Sequence, residues 1–183
     1  MADTAQLGPA FEALTQLAQL SRAGAHGLPA QVDIRPHWSG IGFSLLGRNF
    51  VAPLGEVSEM LEVPEFTHLP GVQPWVQGVA NVRGRLLPIF DMAMFYGQRL
   101  TGSRKQRRVL ILETETLYTG LLVDQVLGMQ HFPIDDFQDD AGPVEDQVRP
   151  YTSGSYMREN ERWTVFRPAL LAEDPRFINA AKS

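Results

Sequence analysis

The sequence predicts an all-β protein with minor helices. Three observations carry that reading. Short apolar segments recur from Trp38 onward. Clusters of glycine, proline, asparagine and acidic residues separate them. Only one stretch, near the N-terminus, has the three- and four-residue apolar spacing of a helix longer than a turn or two. Strands at this spacing belong to a barrel or sandwich.

Composition bounds the class further. A chain of 183 residues suggests one domain with a short appendage, large enough to bury a core without staples. There is no cysteine, so disulfides, thiolate zinc sites, iron–sulfur clusters and a cysteine nucleophile are excluded. The 16 basic and 21 acidic residues give a net charge of −5, the wrong sign for an ordinary nucleic-acid binder. No apolar run approaches the roughly 20 residues that span a bilayer, so no direct membrane insertion is expected. Met1–Gly8 lacks the basic start and apolar centre of a signal peptide, which points to the cytoplasm.

Residues 9–23 read as a short helix. Phe11, Leu14, Leu17, Ala18 and Leu20 fall at helical spacing, Pro9 suits the first turn and Gly24 the stop. This helix either packs on its own domain or docks a partner. Gly24–Pro36, with two glycines and two prolines, reads as a linker. Strands follow. Ile41–Leu46 and Phe50–Leu54 flank a turn at Gly47-Arg48-Asn49. Val57–Val63 is closed by Pro64. Val76–Arg83 and Leu86–Phe90 flank Gly84, and Asp91–Tyr96 is one helical turn ended by Gly97. Val109–Glu113 and Leu117–Val123 pair around Thr114–Thr116, and Val126–His131 stops at Pro133. Tyr151–Met157 and Trp163–Arg167 pair around Glu159–Glu161, with a short helix after Pro168. A shift of about 69 residues brings Leu54, Val57, Met60 and Pro64 onto Val123, Val126, Met129 and Pro133, which suggests two similar small β subdomains.

Catalytic signatures are missing. The chain has no Walker A loop and no nucleophile elbow, and Gly40-Ile41-Gly42 leads into a strand rather than a helix. His26, His37, His68 and His131 show no helical metal-ligand spacing, so no metal and no cofactor is expected. The acidic run Asp135, Asp136, Asp139, Asp140, Glu145 and Asp146 fails as a calcium loop in either register. Started at Asp135 it puts Phe137 where a ligand belongs; started at Asp136 it puts Ala141 where glycine is needed. A solvated loop is the better account. The basic run Arg99, Arg104, Lys105, Arg107 and Arg108 has no interleaved aromatic for base stacking, and reads as a linker or as a contact for an acidic partner.

The segment from Gly78 to Asp91 stands out. It reads as a buried strand, a tight turn at Arg83-Gly84 and a second strand ending at Asp91, an N-cap for the helical turn after it. Pro88 cannot donate to a ladder, so its strand is expected at an edge or a bulge. Arg83 at such a turn is exposed. Its guanidinium either recognises a partner's carboxylate or carbonyls, or pairs within the chain, with Glu59 the candidate acid.

Gly78, Asn81, Arg83, Gly84, Pro88 and Asp91 resemble the signature G-x-x-N-x-R-G-x-x-x-P-x-x-D of the CheW-like adaptor family of bacterial chemotaxis. Val57-Ser58-Glu59-Met60 and Gly120-Leu121-Leu122-Val123-Asp124-Gln125-Val126 resemble two further family segments, in family order. The likeness covers about Trp38 to Ala172. The N-terminal Ala10–Leu14 helix, the linker from Arg22 to Pro29 and the Trp38–Phe43 strand resemble the pilus-associated PilI branch.

The resemblance implies two small five-stranded β-barrel subdomains sharing a hydrophobic core. It divides the chain into an N-terminal extension (1–36), a CheW-like domain (37–173, its halves meeting near 97–108) and a tail (174–183). It also implies a non-catalytic adaptor without kinase or receiver domains, located at membrane-anchored receptor arrays. The implied partners are the cytoplasmic tip of a PilJ-like chemoreceptor and the regulatory domain of a CheA-type histidine kinase, in a pathway controlling type IV pili and twitching. Carried over as receptor-binding are Val57, Glu59, Val79, Asn81, Val82, Arg83 and Gly84. Met92, Met94, Phe95 and Tyr96 are candidates for the kinase contact. Two other readings remain on residues alone: a small β-barrel nucleic-acid-binding protein using Arg99–Arg108, and an enzyme using Asp135, Asp136 or Glu145.

Overall fold

The computed structural model describes residues 8–23, 35–114 and 117–181. The linker reading over 24–36, except its last two residues, and the tip of the turn at 114–116 lie outside the described residues. Helix α1 spans Gly8–Ala23, as its spacing predicts. Taken by itself, it leaves Phe11, Leu14, Leu17 and Leu20 at least 65% exposed.

The rest is strand with short helical turns. In order these are β1 (His37–Leu45), β2 (Arg48–Pro53), β3 (Val57–Glu62), β4 (Val76–Val82), β5 (Arg85–Asp91), α2 (Met92–Phe95), β6 (Arg108–Glu113), β7 (Tyr118–Val123) and β8 (Gln125–Pro133). They continue with β9 (Phe137–Gln138), β10 (Thr152–Arg158), β11 (Glu161–Phe166), α3 (Pro168–Ala172) and α4 (Pro175–Ile178). The two-residue β9 and the single turn of α4 carry too little periodicity to be read from sequence.

Three hairpins turn on pairs of residues with positive φ: Leu46-Gly47, Arg83-Gly84 and Glu159-Asn160. Such pairs make the type I′ turn whose twist matches a hairpin. The first turn is therefore one residue earlier than Gly47-Arg48-Asn49. Arg48 and Asn49 already belong to β2 and pair with Leu45 and Ser44.

The strands form two sheets, a five-stranded one in the order β3-β6-β7-β5-β4 and a six-stranded one in the order β8-β1-β2-β11-β10-β9. Both follow one plan. An antiparallel hairpin (β4–β5, or β10–β11) joins a second hairpin (β7–β6, or β2–β1) through a parallel pair, and an edge strand (β3, or β8) completes it. The sheets do not follow chain halves. The first half gives β1 and β2 to one sheet and β3, β4 and β5 to the other, and the second half reverses this. The repeat read in the sequence matches this exchange: Met60 on β3 and Met129 on β8 occupy topologically equivalent edge strands.

Three apolar layers result. Ala80, Leu87, Ile89, Val109, Ile111 and Leu122 fill the inside of the five-stranded sheet. Val51, Phe132, Tyr156, Trp163 and Val165 fill the inside of the other. Between them lies the largest layer, with Phe43, Phe50, Phe90, Leu110, Leu112, Leu121, Tyr151 and Phe177 among its members. Strands in the middle of each sheet are buried on both faces, which is why Val109–Leu112 reads as an unbroken apolar run.

Pro88 is not on an edge strand. β5 lies between β4 and β7, and the ladder to β7 starts at Ile89, so the proline's missing donor falls where that pairing has not begun. The irregularity sits on the neighbouring strand, where β4 shifts register between Val76 and Gly78.

Candidate functional site

The β4–β5 hairpin carries the family signature, and the structure gives each signature residue a physical task. Gly78 has φ +149°, and a Cβ there would lie 2.2 Å from the Thr67 carbonyl oxygen. Only glycine lets the Phe66–Thr67 segment bond β4, with Thr67 and Val79 exchanging two backbone hydrogen bonds of 2.9 Å. Asn81 accepts the Gly84 N–H through Oδ1 at 2.9 Å and so braces the turn. Asp91 accepts the Met94 N–H at 2.9 Å and caps α2. Burial pushes its carboxyl up, against that hydrogen bond.

Arg83, at φ +52°, stands 78% exposed by side chain, and its Nη2 donates to Glu59 Oε1 at 2.6 Å. Glu59 lies on β3, at the opposite end of the sheet order, so the pair joins two edges of a sheet curled on itself. Beside it Arg85 bonds Glu113 at 2.7 Å and stacks over the Tyr118 ring at 3.8 Å. These residues, with Ser58, Val82 and Ile111, line a hollow of about 120 Å³. The four charges balance. Arg83 uses one of the five donors a guanidinium carries, leaving most uncommitted.

The outer face of the hairpin continues this rim with apolar groups. Leu86 is 71% exposed and pairs with Asn81; Pro88 pairs with half-buried Val79. Leu86 and Pro88 were missed in the sequence because a central strand's inward and outward residues are both apolar there. The alternation of Leu86 and Pro88 against buried Leu87 and Ile89 assigns the faces once the strand's inside is known.

The other carried-over residues divide. Val57 is buried in the layer between the sheets, whereas half-buried Val82 packs on the inside of its own sheet and lines the hollow beside Arg83. Val79, Asn81, Glu59, Arg83 and Gly84 are brought together at the surface. Among the kinase-contact candidates, Met92 and Tyr96 are core residues, 1% and 3% exposed. Burial pushes the pKa of the Tyr96 hydroxyl well above its ordinary value, and that hydroxyl has no hydrogen-bond partner among the described residues. Met94 and half-buried Phe95 reach the surface of α2.

Several side chains of the charged runs are committed within the chain. Arg107 donates to the carbonyls of Gly102 and Leu100, and Arg108 to those of Lys105 and Arg107. Asp140 is spent on the Gly142 N–H and on Arg162. Among the described residues no group of three or more His, Asp or Glu side chains is placed to hold a metal, and no helix is long and apolar enough to cross a membrane.

Comparison with known proteins agrees with this geometry. The family model described as CheW-like domain matches residues 39–176. The chain is 50% identical over 171 residues to Protein PilI of Pseudomonas aeruginosa, covering 93% of this chain and 96% of that protein. It is 30% identical over 73 residues to Chemotaxis protein CheW of Thermotoga maritima, covering 40% of this chain and 48% of that protein. Protein FrzA of Myxococcus xanthus is 29% identical over 84 residues, 46% of this chain and 52% of FrzA. In three dimensions it resembles the crystal structure of scaffolding protein TtCheW from Thermoanaerobacter tengcongensis. The TM-score is 0.63 at 20% identity, covering 72% of this chain and 90% of that one. The family match spans most of the chain, and it includes the hairpin whose residues are justified above. This chain belongs to the CheW-like domain family, whose members are scaffold adaptors without catalysis of their own.

Proposed function

We propose that this protein couples a chemoreceptor to a CheA-type histidine kinase in the cytoplasm, at membrane-anchored arrays, in a pathway that controls type IV pili and twitching. The observation that carries the reading is the surface of the β4–β5 hairpin. An exposed, largely uncommitted guanidinium and its neighbouring ion pairs border an apolar strip of Val79, Leu86 and Pro88. Such a surface suits the apolar stripe and flanking acids of an amphipathic helical hairpin, here the cytoplasmic tip of a PilJ-like receptor. Met94 and Phe95 on α2 are the surface left for the kinase regulatory domain. The likeness to a protein named PilI supports the pilus branch over swimming chemotaxis.

The test is calorimetric titration against a receptor tip hairpin and, separately, a kinase regulatory domain. Wild type is expected to bind both. Arg83→Glu should weaken the receptor contact about tenfold or more while leaving the kinase contact and circular dichroism unchanged. No heat with either partner sinks the coupling role.

A further inference from the structure

A second hollow, of about 270 Å³, opens where α4 meets the start of β7, and Tyr118 lines both this hollow and the one beside Arg83. Its walls are apolar: Pro88 and Phe90 from β5, Leu117 before β7, and Phe177 and Ile178 from α4. The Thr119 hydroxyl on its wall already donates to the Pro88 carbonyl at 3.1 Å. The volume lies below the roughly 300–1,000 Å³ of small-molecule pockets, so it suits side chains of a protein partner rather than a metabolite.

The C-terminal wall is built to stay in place. Phe177 is 1% exposed and packs edge-on against Phe90 and Phe95 at 4.7 and 5.6 Å. Outside it, the Tyr151 hydroxyl donates to Asp174, and Arg176 bonds both Asp174 and the Tyr151 oxygen, at 2.9 and 2.7 Å. Beyond the helix the chain returns to the body: Gln73 N–H donates to the Ala180 carbonyl at 2.8 Å, and Ala181 bridges Val72. Ile178 is nevertheless 65% exposed, a large aliphatic side chain held rigidly at the rim by neighbours that are not.

We infer that α4 is part of the receptor-binding surface. Ile178 and the hollow it walls accept an apolar side chain of the receptor's amphipathic hairpin, continuing the contact that begins at Arg83. This rests on the receptor reading above. Continuity argues for that occupant: Tyr118 joins the hollow to the charged rim, and Pro88 joins it to the exposed strip of β5. Rigidity argues the same way, because a wall already ordered loses little freedom when a partner docks.

The experiment pairs titration of the full chain with the receptor tip hairpin and methyl NMR of the Ile178 side chain. Ile178→Asp should weaken binding about tenfold or more. Ile178→Leu should bind as wild type, and so should Met157→Asp, an exposed apolar site on the other sheet. In the wild type the Ile178 methyl resonance should shift as the hairpin saturates. If Arg83→Glu weakens binding while Ile178→Asp does not and the methyl stays put, the role of α4 is overturned and the receptor reading survives. If wild type does not bind the hairpin at all, the receptor reading falls and takes this inference with it.

Discussion

At the scale of single residues, Asp124 shows how one buried side chain ties together segments far apart in the chain. It sits 3% exposed where the chain passes from β7 in one sheet to β8 in the other. Its carboxylate accepts the Leu46 N–H at 2.9 Å, the Thr101 hydroxyl at 3.1 Å and the Gly102 N–H at 2.5 Å. Leu46 needs this, since it carries φ +54° without being glycine. Removing the acceptor strands two backbone donors, each at a cost of about 1–3 kcal/mol. Asp124→Ala should therefore destabilise by about 2–6 kcal/mol, read as a lower urea midpoint with unchanged slope. Asp124→Asn should cost less, because an amide keeps one acceptor oxygen. The sequence placed Asp124 in a family segment but not in this role, since Leu46 lies 78 residues away. Glu59 and Arg83 were easier to read. A turn arginine must be exposed, and the acid named for it is the one it meets.

At the scale of elements, hairpins were legible because their chemistry is local, and their limits show where local chemistry stops. Two adjacent residues with positive φ make each turn, but only one of each pair at Leu46-Gly47 and Arg83-Gly84 is glycine. The sequence therefore located the turns without always centring them. Gly78 differs, because its reason is a contact with Thr67 rather than a turn. Gly78→Ala should cost well over about 1 kcal/mol through backbone strain alone, and should free the Phe66–Thr67 segment. Faster amide exchange at Val79 would report it.

The α4 clasp has a pH dependence whose sign follows from its partners. Arg176 chiefly, with the Tyr151 hydroxyl, holds the Asp174 carboxyl down to about 2. That contribution is fully present above the ordinary carboxylate value and fades as pH falls toward 2. Tyr151 is pushed up to about 12, first by burial and then by Asp174. Its contribution is complete below the ordinary tyrosine value and is lost as pH rises toward 12. The Ile178 methyl and Phe177 ring resonances should therefore hold steady across the neutral range and drift at both extremes. Asp174→Asn should abolish the acid drift and Tyr151→Phe the alkaline one; drifts unchanged in both variants would show the clasp does not hold α4.

At the scale of the whole molecule, the sheets exchange halves of the chain, and this was the part the sequence could not show. The shift of about 69 residues identified β3 and β8 as counterparts, but an apolar repeat does not say which sheet each copy joins. The parallel pairs β5–β7 and β2–β11 decide it, and they join strands from different halves. Neither half owns a closed core. Residues 35–98 hold a β1–β2 hairpin whose inner partners, β8 and β11, lie in the other half, and a β3, β4, β5 set missing β6 and β7 between them. A lone hairpin with an uncovered apolar face is marginal in water. Fragments cut in the connection between α2 and β6 should thus show no cooperative unfolding separately. Mixed, they should regain the strand signal in circular dichroism and a single transition, since every missing pairing is supplied by the complement. Folding of the intact chain should be slow for its size, on the order of milliseconds to seconds, because its central pairings are non-local. A cooperative transition in either fragment alone would show that one half can bury a core without exchange. The exchange would then be a feature of connectivity and not the source of stability. The proposed receptor-binding face would inherit that result, for its residues come from both sides of the same boundary. Arg83 comes from the first half, and Tyr118 and Ile178 from the second.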